Sequence, residues 1–232
     1  MGRKLKLFRG LGVAATVVLV TSLAVPAGAA RVTHESYKMT GVTAEATWFA
    51  DEGQEPSVGS PAVLFAMGAD ASTVHRVPGL KPERTRQPAV VAMALMMPGV
   101  APEDEPYPAE LWCVADDFTF TVADDLSDAE LRIPTCEAFV LVFDPVTGEE
   151  APNGVTVTLA TTVRWTATGP LESQRSHSRY SVGRSWTMDM SRTSSRPATA
   201  EIVVTGLPGG PFEATAQEAN LQTLKVATFM HQ

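Results

Sequence analysis

Apolar and polar residues alternate with a period of two along much of this chain, and no other feature of the sequence constrains its fold as strongly. Successive side chains of a β-strand point to opposite faces of the sheet, so this period predicts strands with one buried face. The longest run is 155–167, where the odd positions are Val155, Val157, Leu159, Thr161, Val163, Trp165 and Ala167. Shorter runs with the same period occupy 42–48, 118–122, 129–133, 186–190, 198–204 and 224–230.

Two apolar segments lack this alternation, namely 88–97 (PAVVAMALMM) and 138–143 (AFVLVF). Such runs suit central strands that are buried on both faces, or a strand beside an interface. The first could also form a short buried helix, because Ala, Leu and Met favour helix. Its flanking Pro88 and Pro98 favour strand instead.

Clusters of Gly and Pro lie between the apolar runs and are typical of the turns of a β fold. Residues 80–87 (LKPERTRQ) are expected to form an exposed loop. About ten to twelve short strands with no long amphipathic helix predict an all-β fold, and specifically an antiparallel β-sandwich.

Residues 1–29 have the composition of a secretory signal peptide. Four basic residues precede an apolar stretch at 11–25, and Ala27-Gly28-Ala29 supplies the small residues that a signal peptidase recognises. An uncleaved membrane anchor is the alternative, but a span needs roughly 20 apolar residues and this stretch is shorter. We therefore expect a secreted, extracellular protein without a membrane anchor. Its mature chain, residues 30–232, is expected to be a single domain, with a candidate subdivision near 101–108.

The chain is acidic, with 18 Lys and Arg against 26 Asp and Glu. Loss of the signal peptide would leave 14 basic residues against 26 acids, a formal net charge of −12. This overall charge makes nucleic acid and anionic lipid poor partners. The charge is also uneven: residues 101–151 hold 14 acids and only Arg132 as a base, whereas 163–196 hold six Arg against two acids. The two stretches could attract each other within the fold or present two faces to a partner, such as a surface glycan or a protein.

The mature chain has two cysteines, Cys113 and Cys136. A lone pair in an oxidising compartment is usually a disulfide, which we predict here. A metal or redox pair is the alternative, but the two residues lack the C-x-x-C spacing and a nearby histidine.

Candidate catalytic and metal-binding residues are few. The four histidines, His34, His75, His177 and His231, lack the spacing of metal ligands, so no metal or other cofactor is expected. No nucleophile motif is present, and His177 is the best candidate for a general base because it lies in a Ser/Arg-rich stretch. Residues 124–128 (DDLSD) are expected to form a solvated acidic turn, with a Ca²⁺ site as the alternative.

The four tryptophans divide into two groups. Trp48, Trp165 and Trp186 share the apolar parity of their strands, which predicts that they lie in the core. Trp112 precedes Cys113, so an inward cysteine would turn Trp112 outward. A sugar-stacking surface is the alternative role for these rings.

Residues 164–170 (RWTATGP) are followed about 25 residues later by 194–200 (SSRPATA). This pair of segments resembles uncharacterised secreted β-rich proteins of actinobacterial type. In that group a Trp-x-Gly-x-Gly stretch precedes a polar Ser/Arg segment and an Arg-x-Ala strand; Ala167 stands here where the first Gly is expected. The resemblance implies export and a β-rich fold, and it assigns no activity and no functional residue.

These observations favour a secreted β-sandwich protein with a non-enzymatic binding or cell-surface role. The competing hypothesis is a secreted hydrolase whose site is assembled from residues distant in the sequence. An enzyme should have a deep cleft with converging reactive side chains, whereas a binding protein should have an open surface with exposed aromatic residues.

Overall fold

The computed structural model describes residues 34–51, 57–99, 106–143 and 150–231. These ranges contain eleven strands and no helix: β1 (His34–Phe49), β2 (Pro61–Arg76), β3 (Glu83–Arg86), β4 (Ala89–Met97), β5 (Tyr107–Ala115), β6 (Thr119–Val122), β7 (Asp128–Phe143), β8 (Glu150–Ala167), β9 (Glu172–Val182), β10 (Ser185–Thr205) and β11 (Phe212–His231). The predicted all-β antiparallel class is confirmed. The predicted signal peptide lies outside the described residues, as does most of the candidate boundary near 101–108.

One feature of the strand order was not predicted. The order is β1-β11-β10-β8-β7-β5-β4-β2-β3, and β1 also pairs with β2. The first eight of these strands therefore return to their starting point and form one closed antiparallel sheet. The core lies between opposing walls of this sheet, as it would between the two layers of a sandwich. Strands β3, β6 and β9 are branches that pair with β2, β7 and β10.

Five of the seven alternating runs supply core residues as predicted, whereas 186–190 and 224–230 contain no buried residue. Leu159, Val163 and Trp165 of β8 are fully buried, and so are Ala44 and Ala46 of β1. Each pair of successive core residues is separated by an outward residue, because the strand turns every second side chain toward the core.

The two apolar segments without alternation differ in how their two faces are buried. Residues 89–97 form β4, a strand buried on both faces, as Val91 and Ala94 illustrate. In β7, Ala138 and Val140 are buried, but Phe139 between them is 42% exposed. Burial of 138–143 on both faces is therefore wrong at Phe139, which lies beside Trp112 on the outer surface of the sheet. The alternative, a strand beside an interface, stays a prediction.

The predicted disulfide between Cys113 and Cys136 is present, and both cysteines are buried. It lies where β7 changes partner. Strand β5 pairs with β7 only as far as Trp112 and Phe139. Beyond that point β7 pairs with β6, through residues 129–132. The disulfide therefore joins β5 to β7 at the position where their backbone pairing ends.

Six strand segments continue beyond the closed part of the sheet, and we call them the extension. In side-by-side order they are 172–182 of β9, 185–195 of β10, 222–231 of β11, 34–42 of β1, 70–76 of β2 and 83–86 of β3. Here β10 pairs with β9 instead of β8, and β2 pairs with β3 instead of β4, so the sheet is open. Gly41 lies at its base, where an added Cβ would overlap the backbone of Asp70 and Ala71.

The extension departs from two sequence-based predictions. Runs 186–190 and 198–204 are parts of the single strand β10. Residues 80–87, expected to be a loop, include the short strand β3, all four residues of which are exposed.

Candidate functional site

Residues that are directly paired in an antiparallel sheet share a face. Ala44 is buried in the core and pairs with Leu221 of β11 and Gly68 of β2. The same face continues along these strands into the extension, where it becomes open to solvent. It carries eight exposed basic residues, and we call it the basic face: Lys38, Arg76, Arg84, Arg86, Arg175, Arg179, Arg192 and Lys225.

Three of these cations lie side by side on adjacent strands. Arg192 of β10 pairs with Arg175 of β9 on one side and with Lys225 of β11 on the other. None of the three forms an ion pair within the described part of the chain. Like charges directly opposite one another destabilise a sheet. This row therefore lowers the stability of the extension unless a favourable interaction elsewhere offsets it.

The two faces of the extension differ in the sign of their charge. Among the described residues of the extension, Asp70 is the single acid on the basic face. The opposite face holds the acids Glu35, Glu83, Glu172 and Asp189, and within the same ranges it has no Lys or Arg. An anion approaching the extension would therefore be attracted to one face only.

Aromatic residues cluster at the free end of the basic face. The ring of Trp186 stacks on His231 at 5.7 Å between centroids, and His231 lies against His34 at 4.6 Å. The guanidinium of Arg179 lies 5.4 Å from the centre of the Trp186 ring, within the range of a cation–π interaction. Trp186 is half-buried here and outside the core, so its predicted core position is wrong.

A shallow groove of about 130 Å³ runs across this end of the β9–β10 hairpin. Tyr180, Trp186, Met230 and His231 line it, together with Val182, Ser185 and Thr187. Tyr180 lies on the opposite face and is 71% exposed. The groove is open and small, which suits a contact with one group of a larger partner better than enclosure of a whole substrate.

The opposite face has its own aromatic pair. The rings of Tyr37 and His75 stack at 4.1 Å, and the Glu35 carboxylate lies 3.6 Å from His75 Nε2. Burial raises the pKa of the Tyr37 phenol, and the carboxylates of Glu35 and Glu83 raise it further. Both effects favour the protonated phenol.

The acidic and basic stretches of the sequence meet at two places. The Glu130 carboxylate forms ion pairs with Arg132 and Arg164, whose hydrogen bonds lower its pKa. The Asp125 carboxylate lies 4.0 Å from Arg196 at the base of the extension. At these two places the stretches attract each other within the fold, which is the first of the two arrangements that the sequence left open, whereas Arg175, Arg179 and Arg192 lie on the basic face.

The acidic segment 124–128 forms a turn closed by its own side chains. Asp125 accepts a hydrogen bond from the Ser127 backbone N–H at 3.0 Å, and the Ser127 hydroxyl donates to Asp128 at 2.8 Å. Bonding to Ser127 is the main reason that the pKa of Asp125 is lowered. Within the described ranges, no three His, Cys, Asp or Glu side chains converge as metal ligands would.

The structure separates the remaining candidate residues. Trp112 points outward as predicted, and its indole N–H donates to the buried Glu110 carboxylate at 2.9 Å. Trp48 packs against the edge of the core, next to Phe212. His177 is exposed on β9 and pairs with Met190, which offers it no acidic or nucleophilic partner.

Comparisons with known proteins add no name. No family model, curated protein or solved structure matches this chain. The described residues also include no helix that is long and apolar enough to cross a membrane.

Sequence reasoning did not find the extension as a site, although one signal was available. Arg175, His177 and Arg179 are spaced by two residues, as are Arg84 and Arg86. In a strand, such spacing places basic side chains on one face.

Proposed function

We propose that this protein is a non-enzymatic binding protein that acts outside the cytoplasm and contacts its partner through the extension. The observation that supports this most strongly is that the extension offers solvent two open sheet faces, with aromatic side chains at its free end. Open surfaces of this kind suit contact with a large partner, whereas catalytic sites are usually concave.

The composition of the free end supports the same proposal. Trp, Tyr and Arg are the residue types that most often dominate binding energy at interfaces. Trp186, Tyr180 and Arg179 all lie at this end, and Tyr180 is largely exposed. In the free protein these rings expose apolar surface to water. Burying that surface against a partner would contribute favourable free energy to binding.

The location outside the cytoplasm is supported by two features. Residues 1–29 have the basic, apolar and small-residue order of a secretory signal. The buried disulfide between Cys113 and Cys136 is compatible with an oxidising compartment, where such bonds persist.

Three variants test the binding role, each applied to a panel of immobilised neutral and charged glycans and extracellular proteins. Trp186→Ala reports on the basic face and Tyr180→Ala on the opposite face. Phe139→Ala is the matched control, because its ring is also exposed but lies on β7, outside the extension. We expect reversible binding that at least one extension variant weakens by roughly tenfold or more and that the control leaves unchanged.

The competing hypothesis, a secreted hydrolase, predicts that the same protein converts a substrate into product. Incubation with ester and glycoside substrates should yield no product if the protein only binds. Product formation that tracks the concentration of the wild-type protein, together with unchanged binding in both extension variants, would contradict the proposal.

A further inference from the structure

We infer that the basic face binds a linear anionic polysaccharide, one that carries carboxylate or sulfate groups along its length. This inference rests on the proposed function, because it names the partner of the same extension. It also selects one of the two faces, which the proposed function leaves open.

The basic face carries a dense row of positive charge. Arg175, Arg192 and Lys225 face each other across adjacent strands without an ion-pair partner in the described part of the chain. Adjacent strands are about 4.8 Å apart, so the three residues span about 10 Å of the sheet. Repulsion within this row weakens the sheet, and a bound polyanion would remove it.

The basic face also carries hydroxyl groups close to these cations. Hydroxyl groups lie on the same face: Ser36 and Thr40 of β1, Ser72 of β2, Ser173 of β9, Ser194 of β10 and Thr223 of β11. Hydroxyls both donate and accept hydrogen bonds, so they match the hydroxyls of a sugar. Ser173, Ser194 and Thr223 form a row directly beside the three cations, and Thr40 and Ser72 continue the row of cations across the sheet. Cations with hydroxyls beside them suit a polymer in which anionic and hydroxyl groups recur.

The apolar side chains of the basic face favour a polysaccharide over a membrane surface as its partner. Proteins that insert into the membrane–water interface present a continuous apolar surface beside their basic residues. On the basic face, Phe229 is covered by the Lys38 ammonium group, 5.6 Å from its ring centre, and Met188 is half-buried. Met190 is the large apolar side chain of this face that is exposed, at 43%. Met188, Met190 and Phe229 are neighbours, but Arg179 pairs with Met188 and Arg192 follows Met190 on the same face. The apolar area is therefore small and bounded by cations.

Three polymers with one backbone test the inference: dextran sulfate, carboxymethyl dextran and unmodified dextran, each immobilised for surface plasmon resonance with the purified protein. We expect binding to both charged polymers and none to dextran. Binding should weaken as ionic strength rises, because salt screens contacts between exposed charges.

Two matched double variants locate the contact. R175Q/R192Q removes two cations from the basic face, and R132Q/R164Q removes two exposed cations that lie on β7 and β8, where they pair with Glu130. The first should bind the charged dextrans roughly fivefold to thirtyfold more weakly, and the second should bind as the wild type does. The first should also melt about 1–2 °C higher than the wild type, since it relieves repulsion between opposed arginines.

Three outcomes would overturn the inference: equal binding to unmodified dextran, equal losses in the two double variants, or tighter binding to anionic lipid vesicles or to DNA than to dextran sulfate. The first two leave the proposed function standing if Tyr180→Ala or Trp186→Ala still weakens binding to an uncharged ligand. If no ligand of the panel is bound and a substrate is hydrolysed, the proposed function fails as well.

Discussion

Trp165→Ala should destabilise the protein by about 3–5 kcal/mol, a large part of the stability of a typical domain. Trp165 is only 1% exposed and has the largest side chain that is fully buried. Its paired neighbours are Ala129 of β7 and Ala200 of β10, two small residues that leave space for the ring. Removing the ring would therefore leave a cavity that these neighbours cannot fill.

Trp165 also joins two walls of the closed sheet. Its indole N–H donates to the backbone carbonyl of Glu45 in β1 at 2.9 Å, and β1 and β8 are separated by two other strands in the sheet. Trp165→Phe keeps an aromatic ring and loses this hydrogen bond, so it should cost less, about 1–2 kcal/mol. Urea unfolding of both variants measures the difference. An unchanged midpoint for Trp165→Ala would mean that this ring does not support the core.

Replacing both cysteines, in C113A/C136A, should lower the free energy of unfolding by about 3 kcal/mol, because the disulfide restricts the unfolded chain. The two cysteines are 23 positions apart in the sequence. A local effect should add to this one, since β5 and β7 have no backbone pairing at the disulfide to hold them together. Urea unfolding without reductant gives the measurement.

Wild-type protein unfolded in the presence of reductant is the control for this variant. It should unfold at about the same urea concentration as C113A/C136A, since both lack the cross-link. If the double variant instead unfolded at the same urea concentration as the oxidised wild type, the disulfide would not stabilise the protein by restricting its unfolded chain.

Most strands of the closed part of the fold could be predicted from the sequence, because a strand with one buried face alternates apolar and polar residues. Strands β2 and β5 were not among the predicted runs. The alternation at 155–167 located β8 and the buried Trp165, and the apolar run at 88–97 located β4. The two cysteines indicated their own pairing. In each case the residue types reflect an environment that is apolar on at least one side of the strand.

The extension could not be predicted in the same way because neither of its faces is fully buried. All eleven residues of β9 are exposed, so their polar sequence resembles that of a loop. Trp186 has the parity of a core residue, yet it lies where the sheet has opened and there is no opposing wall to cover it. Closure of the sheet was also beyond prediction, since the pairing of β1 with both β2 and β11 joins residues that are far apart in the sequence.

Hydroxyl-radical footprinting of the protein with and without dextran sulfate tests most directly whether the basic face is the binding surface. Met190 lies on the basic face and is 43% exposed, whereas Tyr180 lies on the opposite face and is 71% exposed, so both side chains react when the protein is free. We expect the polymer to protect Met190 and Trp186 from oxidation and to leave the oxidation of Tyr180 unchanged. Protection of Tyr180 with continued oxidation of Met190, or no protection anywhere in the extension, would contradict binding through the basic face.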